Sequence, residues 1–61
     1  MKTIGQKIMQ IEGLLGTRDI TPWQENFIRS IVQRTEGGKF TPRLSVKQVD
    51  TIERIYERHF V

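Results

Sequence analysis

Apolar residues recur along the 61-residue chain at intervals of three and four, and this spacing divides it into three segments. A side chain returns to the same face of an α-helix after about 3.6 residues, so each segment predicts an amphipathic helix. The three predicted helices cover approximately residues 4–15, 22–35 and 46–59. Their apolar stripes are Ile4, Ile8, Ile11 and Leu15; Trp23, Phe27 and Ile31; and Val49, Ile52, Tyr56 and Phe60.

Each predicted helix begins with the same polar signal, a threonine or serine followed three residues later by a glutamine. The pairs are Thr3 with Gln6, Thr21 with Gln24, and Ser45 with Gln48. In such a capping box, the hydroxyl oxygen accepts a hydrogen bond from the amide three residues on. The glutamine side chain accepts one from the amide of the capping residue. The repeated signal therefore predicts where all three helices start.

The pattern indicates an all-α fold with one small domain over residues 1–61. It leaves two arrangements open: a three-helix bundle, or a hairpin of the second and third helices with the first packed across it or into a partner. Gly5 and Gly13 each cost about 1 kcal/mol relative to alanine inside a helix. We therefore expect the first helix, with Gly16 as its natural stop, to be the weakest and to need tertiary support.

Composition restricts the classes of function. The chain has ten Lys and Arg, seven Asp and Glu, one His and no Cys. Without cysteine there is no disulfide, thiol catalysis or cysteine zinc site, and His59 alone cannot supply two imidazoles to a metal. We therefore expect a non-enzymatic protein without cofactors or metals. No apolar run approaches the roughly 20 residues that a membrane span needs, so we also expect no membrane partner and a cytoplasmic location.

The net charge of +3 is concentrated in one stretch of the chain. Four of the ten basic residues but only one of the seven acidic residues lie between positions 34 and 47, and the remainder balances. The amides that open the third helix favour anions nearby, and Phe40 could offer a stacking face. The alternative is a solvated loop with Phe40 folded into the core. The predicted binding residues are Arg34, Lys39, Phe40, Arg43 and Lys47.

Two further aromatic residues are candidates for a protein interface. Trp23 lies in the first turn of the second helix, where a core role is the commoner one, but an exposed tryptophan would be a strong binding hot spot. Phe60 and Val61 leave apolar surface at the end of the third helix that a partner could cover. We therefore regard Trp23 and Phe60 as possible interface residues.

The second and third predicted helices share one longer pattern. It consists of Trp23, Phe27 and Ile31, then Leu44-Ser45-x-Lys47-Gln48, and then Ile52, Ile55, Tyr56, Glu57 and Arg58. Over residues of about 20–58, this pattern resembles a short helical module of small phage and prophage proteins. Some of these modules are associated with proteins of DNA replication or recombination. The resemblance implies a phage-type origin and a context of DNA metabolism or host takeover.

Two classes of function follow. The first, which we favour, is a phage-type interaction protein that binds a protein partner (a host or DNA-metabolism enzyme) and is able to form a homo-oligomer. The small size supports it. A core this small, without disulfides or a structural metal, rarely supplies more than about 3–5 kcal/mol of folding stability, and oligomerisation is a common way to add stability. The second is a nucleic-acid-binding module that contacts the phosphate backbone through residues 34–47.

Overall fold

The computed structural model describes residues 2–61, and this part of the chain forms three α-helices and no strand. Helix α1 spans Ile4–Glu12, α2 spans Pro22–Thr35 and α3 spans Val46–Phe60. The all-α prediction is confirmed. The observed bounds of α2 equal the predicted ones, and α3 extends one residue beyond its predicted end. No helix within residues 2–61 has both the length and the apolar character that crossing a bilayer requires.

All three predicted capping boxes form. At the start of α2, the Gln24 amide donates to the Thr21 hydroxyl at 3.1 Å, and the Thr21 amide donates to the Gln24 side-chain oxygen at 2.9 Å. The same reciprocal pair opens α1 and α3. Each box satisfies amides that a helix start otherwise leaves unpaired, which is why the predicted and observed starts coincide.

The end of α1 differs from the prediction. The α-helix stops at Glu12 rather than near residue 15, and the chain continues in tighter turns whose amides bond three residues back. Gly16, with φ of 81°, ends these turns. Leu14 is still buried. Leu15, the last residue of the predicted stripe, is only half-buried. In the tighter winding, residues three apart lie on the same face, so Leu14 rather than Leu15 follows Ile11 into the core.

The core consists of seven buried apolar side chains, six of them isoleucine. Helix α1 lies at the centre: it packs against both α2 and α3, whereas α2 and α3 hardly approach each other. The structure is thus a small bundle in which α1 joins the other two helices. Burying each isoleucine contributes roughly 1.5–3 kcal/mol. The buried residues are Ile8, Ile11, Leu14, Ile28, Ile31, Ile52 and Ile55.

Gly5 brings the backbone of α1 against the turn that follows α2. A methyl group on Gly5 would overlap the carbonyl oxygen of Gly38, and one on Gly38 would overlap the carbonyl oxygen of Gly5. Gly38 also has a left-handed φ of 97°. Gly5 therefore lowers the helix propensity of α1 but allows its backbone to lie against the turn that contains Gly38.

The turn after α2 is fixed by the one buried polar side chain within residues 2–61, Thr35. Its hydroxyl donates to the carbonyl oxygen of Ile31 at 2.7 Å and accepts from the amide of Gly38 at 3.0 Å. The Phe40 amide donates to the Thr35 carbonyl at 2.9 Å. The helix therefore ends one residue before Glu36, whose φ of 52° is left-handed.

One ion pair joins α1 to α3. The ammonium nitrogen of Lys7 lies 2.6 Å from a carboxylate oxygen of Glu53, and the Lys7 side chain is only 18% exposed. The hydrogen bond to Glu53 raises the pKa of Lys7 above its ordinary value of 10.5, against the opposing effect of desolvation. The pair directs the Glu53 carboxylate toward α1.

Candidate binding cleft between α2 and α3

A cleft lies between α2 and α3. Two adjoining depressions of about 420 and 400 Å³ form it, and Trp23 and Thr51 line both. The start of α2 shares a depression with the second half of α3, so the two helices run antiparallel along the cleft. No α1 side chain lines either depression. The α2–α3 cleft is defined by Trp23, Phe27, Arg34, Arg43, Lys47, Thr51, Arg54, Ile55 and Arg58.

Five basic side chains line the α2–α3 cleft, and no aspartate or glutamate of residues 2–61 is among its lining. Arg34, Arg43 and Lys47 surround one end, and Arg54 and Arg58 flank the other. Like charges along a concave surface focus a positive potential within it. The structure thus brings together three of the four basic residues that the sequence grouped, and adds two.

None of the acidic residues of α3 lines the cleft, although Asp50 reaches one of its arginines. Glu53 pairs with Lys7 of α1. Asp50 lines a separate depression with Val49 and reaches Arg54 at 2.9 Å, as a pair four residues apart on the exposed side of the helix. Exposed pairs of this kind contribute only about 0.3–0.5 kcal/mol, so Arg54 can still engage another anion.

Arg54 and Arg58 are the cleft residues that reasoning from the sequence missed. Because a charge count over α3 balances them against the neighbouring carboxylates, they look like part of a neutral, solvated face. The signal that reveals them is helical spacing: Lys47, Thr51, Arg54 and Arg58 follow one another at steps of four, three and four, and therefore share a face.

Trp23 is 63% exposed, so the core role that is commoner for a tryptophan does not apply. Its ring stacks on that of Phe27, with centroids 5.5 Å apart and planes inclined by 6°. Both rings line the same depression of the cleft. Stacking holds the indole in one orientation, so the exposed aromatic surface is preorganised for a contact.

Phe40 and Lys39 do not join the α2–α3 cleft. Phe40 is 62% exposed and lines a smaller neighbouring depression with Arg34 and Arg43, so it is not folded into the core. Lys39 is exposed and lines neither the cleft nor this smaller depression. The structure therefore places Arg34, Arg43 and Lys47 in the cleft, Phe40 in the neighbouring depression and Lys39 in neither, and a binding role for these residues stays a prediction.

Phe60 lies on a different surface from Trp23. It is 40% exposed and stacks on Tyr56, with ring centroids 5.5 Å apart. The ammonium groups of Lys2 and Lys7 lie 5.7 and 5.4 Å from the centre of the Tyr56 ring, within cation–π range. Phe60 therefore lines neither depression of the cleft to which Trp23 belongs.

The single histidine, His59, lines neither depression of the cleft. The Nε2 atom of His59 is buried and has no hydrogen-bond partner within the described part of the chain. Residues 2–61 hold no group of three or more His, Asp or Glu side chains that could bind a metal. What the cleft provides is an aromatic face, an apolar floor and positive charge at both ends.

No protein-family model, curated protein or solved structure matches this chain.

Proposed function

We propose that this chain is a small, non-enzymatic interaction protein that binds a protein partner through the α2–α3 cleft. The observation that carries the proposal is the exposed Trp23, which stacks on Phe27 and lines both depressions of the cleft, each of which also contains arginine. Tryptophan and arginine are enriched among the few residues that supply most of the binding energy of protein interfaces. A fixed aromatic ring also loses little conformational entropy on binding.

The wider setting belongs to the same proposal. The resemblance to phage modules supports a partner in DNA metabolism or in the host, and the sequence supports a cytoplasmic location. Self-association is a further part, because Val46 and Val61 leave 87% and 89% of their surface exposed. Light scattering over a concentration series measures it directly, and a constant monomer mass would remove self-association from the proposal.

Affinity capture from a nuclease-treated bacterial lysate tests the proposal. The wild-type chain is compared with Trp23→Ala and with Met9→Ala, a matched control on an exposed position of α1 outside the cleft. We expect specific proteins on the wild type and on Met9→Ala that are lost from Trp23→Ala. The same proteins on all three chains, or none once nucleic acid has been digested, would contradict binding through the cleft.

Nucleic-acid binding is a second candidate, favoured by the convergence of Arg34, Arg43 and Lys47 beside the start of α3. A helix N-terminus adds partial positive charge there. Three phosphate contacts would give a log–log salt slope of about −2.7, at roughly 0.9 per contact. Fluorescence anisotropy of labelled DNA over a salt series measures this slope.

The loop itself supplies the control for that experiment. Arg43→Glu should abolish DNA binding, and Lys39→Glu should retain most of it because Lys39 lies outside the cleft. No binding at low salt, or the same loss in both variants, would remove this candidate.

A further inference from the structure

We infer that the protein partner inserts an acidic amphipathic α-helix into the α2–α3 cleft, where it takes the place of a fourth helix in the bundle. The inference rests on the proposed function and names the chemistry of the partner at the same site. It follows from the arrangement of the helices, the length of the cleft and the distribution of charge along it.

The helices leave one position of a four-helix arrangement empty. Helices in contact lie about 8–10 Å apart. Helices α2 and α3 each pack on α1 but hardly approach each other, as two helices do across the diagonal of a four-helix bundle. With α1 at the corner between them, the α2–α3 cleft corresponds to the opposite, unfilled corner. An α-helix fills such a corner, because its diameter with side chains is about 10–12 Å.

The length of the cleft suits a helix of about three turns. Its lining runs from Trp23 to Arg34 on α2 and from Lys47 to Arg58 on α3. Eleven residue steps of about 1.5 Å give roughly 17 Å on each wall. An amphipathic helix docked in a groove typically uses apolar anchors at positions i, i+3 or i+4, and i+7. Three turns are enough to present such a set to Trp23 and Ile55.

The charge of the cleft requires an acidic occupant. Both ends carry arginine or lysine, the middle is apolar, and no carboxylate of residues 2–61 lines it. A partner helix with an apolar stripe flanked by Asp and Glu is complementary to this surface, whereas a basic or neutral helix would leave like charges facing each other or unpaired.

A single nucleic-acid strand fits the same observations less well. Strands that bind without sequence preference stack successive bases on a series of aromatic platforms. The two rings that line the cleft, Trp23 and Phe27, stack on each other rather than standing apart as successive platforms. Phe40, the other exposed ring near these arginines, lines a different depression. We therefore favour the helix and treat the strand as an outcome of the test.

A display library of random 16-residue peptides without tryptophan, selected on the 61-residue chain, tests the inference. Peptides that also bind Trp23→Ala are removed by counter-selection. The strongest binders are synthesised and titrated while the emission of Trp23 is recorded, since this is the one tryptophan of the chain. We expect apolar residues at helical spacing flanked by Asp and Glu, a shift of Trp23 emission to shorter wavelength, and a gain of helical circular dichroism on binding.

Variants define the contact. Trp23→Ala should weaken binding by about thirtyfold or more, as for an interface hot spot. Arg58→Glu should weaken it by roughly tenfold with a smaller dependence on salt. Met9→Ala should bind like the wild type. Circular dichroism of the free variants detects whether Trp23→Ala loosens the first turn of α2. In that case Arg58→Glu, which leaves that turn unchanged, still tests binding in the cleft.

Several outcomes overturn the inference. These are selected peptides without acidic bias, an alternating pattern typical of an extended strand, binding that leaves Trp23 emission unchanged, or a poly-thymidine oligonucleotide that binds more tightly than the peptides. Capture from the lysate distinguishes a failure of the helix inference from a failure of the proposed function. Cleft-dependent capture combined with any of these outcomes means that only the helix is wrong, whereas cleft-independent capture means that the proposed function is wrong.

Discussion

Replacing Gly5 by alanine sets helix propensity against tertiary packing, and the two predict opposite signs. Inside a helix, alanine is favoured over glycine by about 1 kcal/mol, so propensity alone predicts that Gly5→Ala is stabilising. The structure predicts the reverse. The new methyl group would overlap the backbone carbonyl of Gly38, and a backbone atom cannot move away by changing a rotamer.

The magnitude follows from what has to move. Overpacking of a well-packed site costs about 1–3 kcal/mol, and the turn at Gly38 is held by its hydrogen bond to the buried Thr35 hydroxyl. With a cost in the upper half of that range and the propensity gain subtracted, we expect a net loss of about 1–2 kcal/mol. In a domain of this size, that lowers the melting temperature by roughly 4–15 °C.

Thermal unfolding followed by far-UV circular dichroism measures the effect. Gly13→Ala is the matched control: it also removes a glycine near α1, and its methyl group would meet only the Gln10 carbonyl oxygen at 3.3 Å, a contact that a small shift relieves. We expect this control to stay within about 0.5 kcal/mol of the wild type. A melting temperature for Gly5→Ala at or above that of the wild type would refute the close approach of α1 to the turn.

Three further predictions concern the scaffold. Thr35→Val should lower the free energy of unfolding in urea by about 1–2 kcal/mol, because it removes the buried acceptor of the Gly38 amide; unchanged stability would contradict that role. Ile11→Val should cost about 0.5–1.5 kcal/mol at a fully buried position of the central helix, and a cost near zero would place α1 outside the core. Lys7 has a pKa raised above 10.5 by Glu53, so its stabilising effect is complete below that value and lost as pH rises through the raised pKa. Alkaline unfolding of the wild type and Lys7→Met should therefore converge, and curves that stay parallel would argue against the pair.

The parts of the fold that sequence predicts well are those decided by neighbouring residues. A capping box joins atoms only three positions apart, so the starts of α1, α2 and α3 are correctly predicted from Thr3, Thr21 and Ser45. The end of α1 depends instead on a change to tighter winding after Glu12, in which Leu14 is buried. That choice is made by packing against the other helices, which a local pattern does not contain.

The cleft is harder to predict from the sequence because it exists only where α2 and α3 do not pack against each other. Trp23 continues the apolar stripe of Phe27 and Ile31, and the same stripe would be buried if α2 and α3 packed together. Ile31 is buried, whereas Trp23 stays 63% exposed because both helices pack on α1 rather than on each other. Charges are also hard to place from the sequence. A charge count along the chain assigns Lys39 and Arg43 to one patch and balances Arg58 against nearby glutamates. In the folded chain, the helix face on which each residue lies determines which charges are close together.

Trp23 also provides the most direct test of the central claim, that the α2–α3 cleft is the surface to which the partner binds. The measurement is the fluorescence emission of this single tryptophan, which is 63% exposed in the free chain, during titration with a partner recovered by capture. Binding in the cleft removes the indole from water, so we predict a shift to shorter wavelength and protection from a soluble quencher, both saturating with the bound fraction. Saturable binding that leaves the emission and the quenching of Trp23 unchanged would contradict the account.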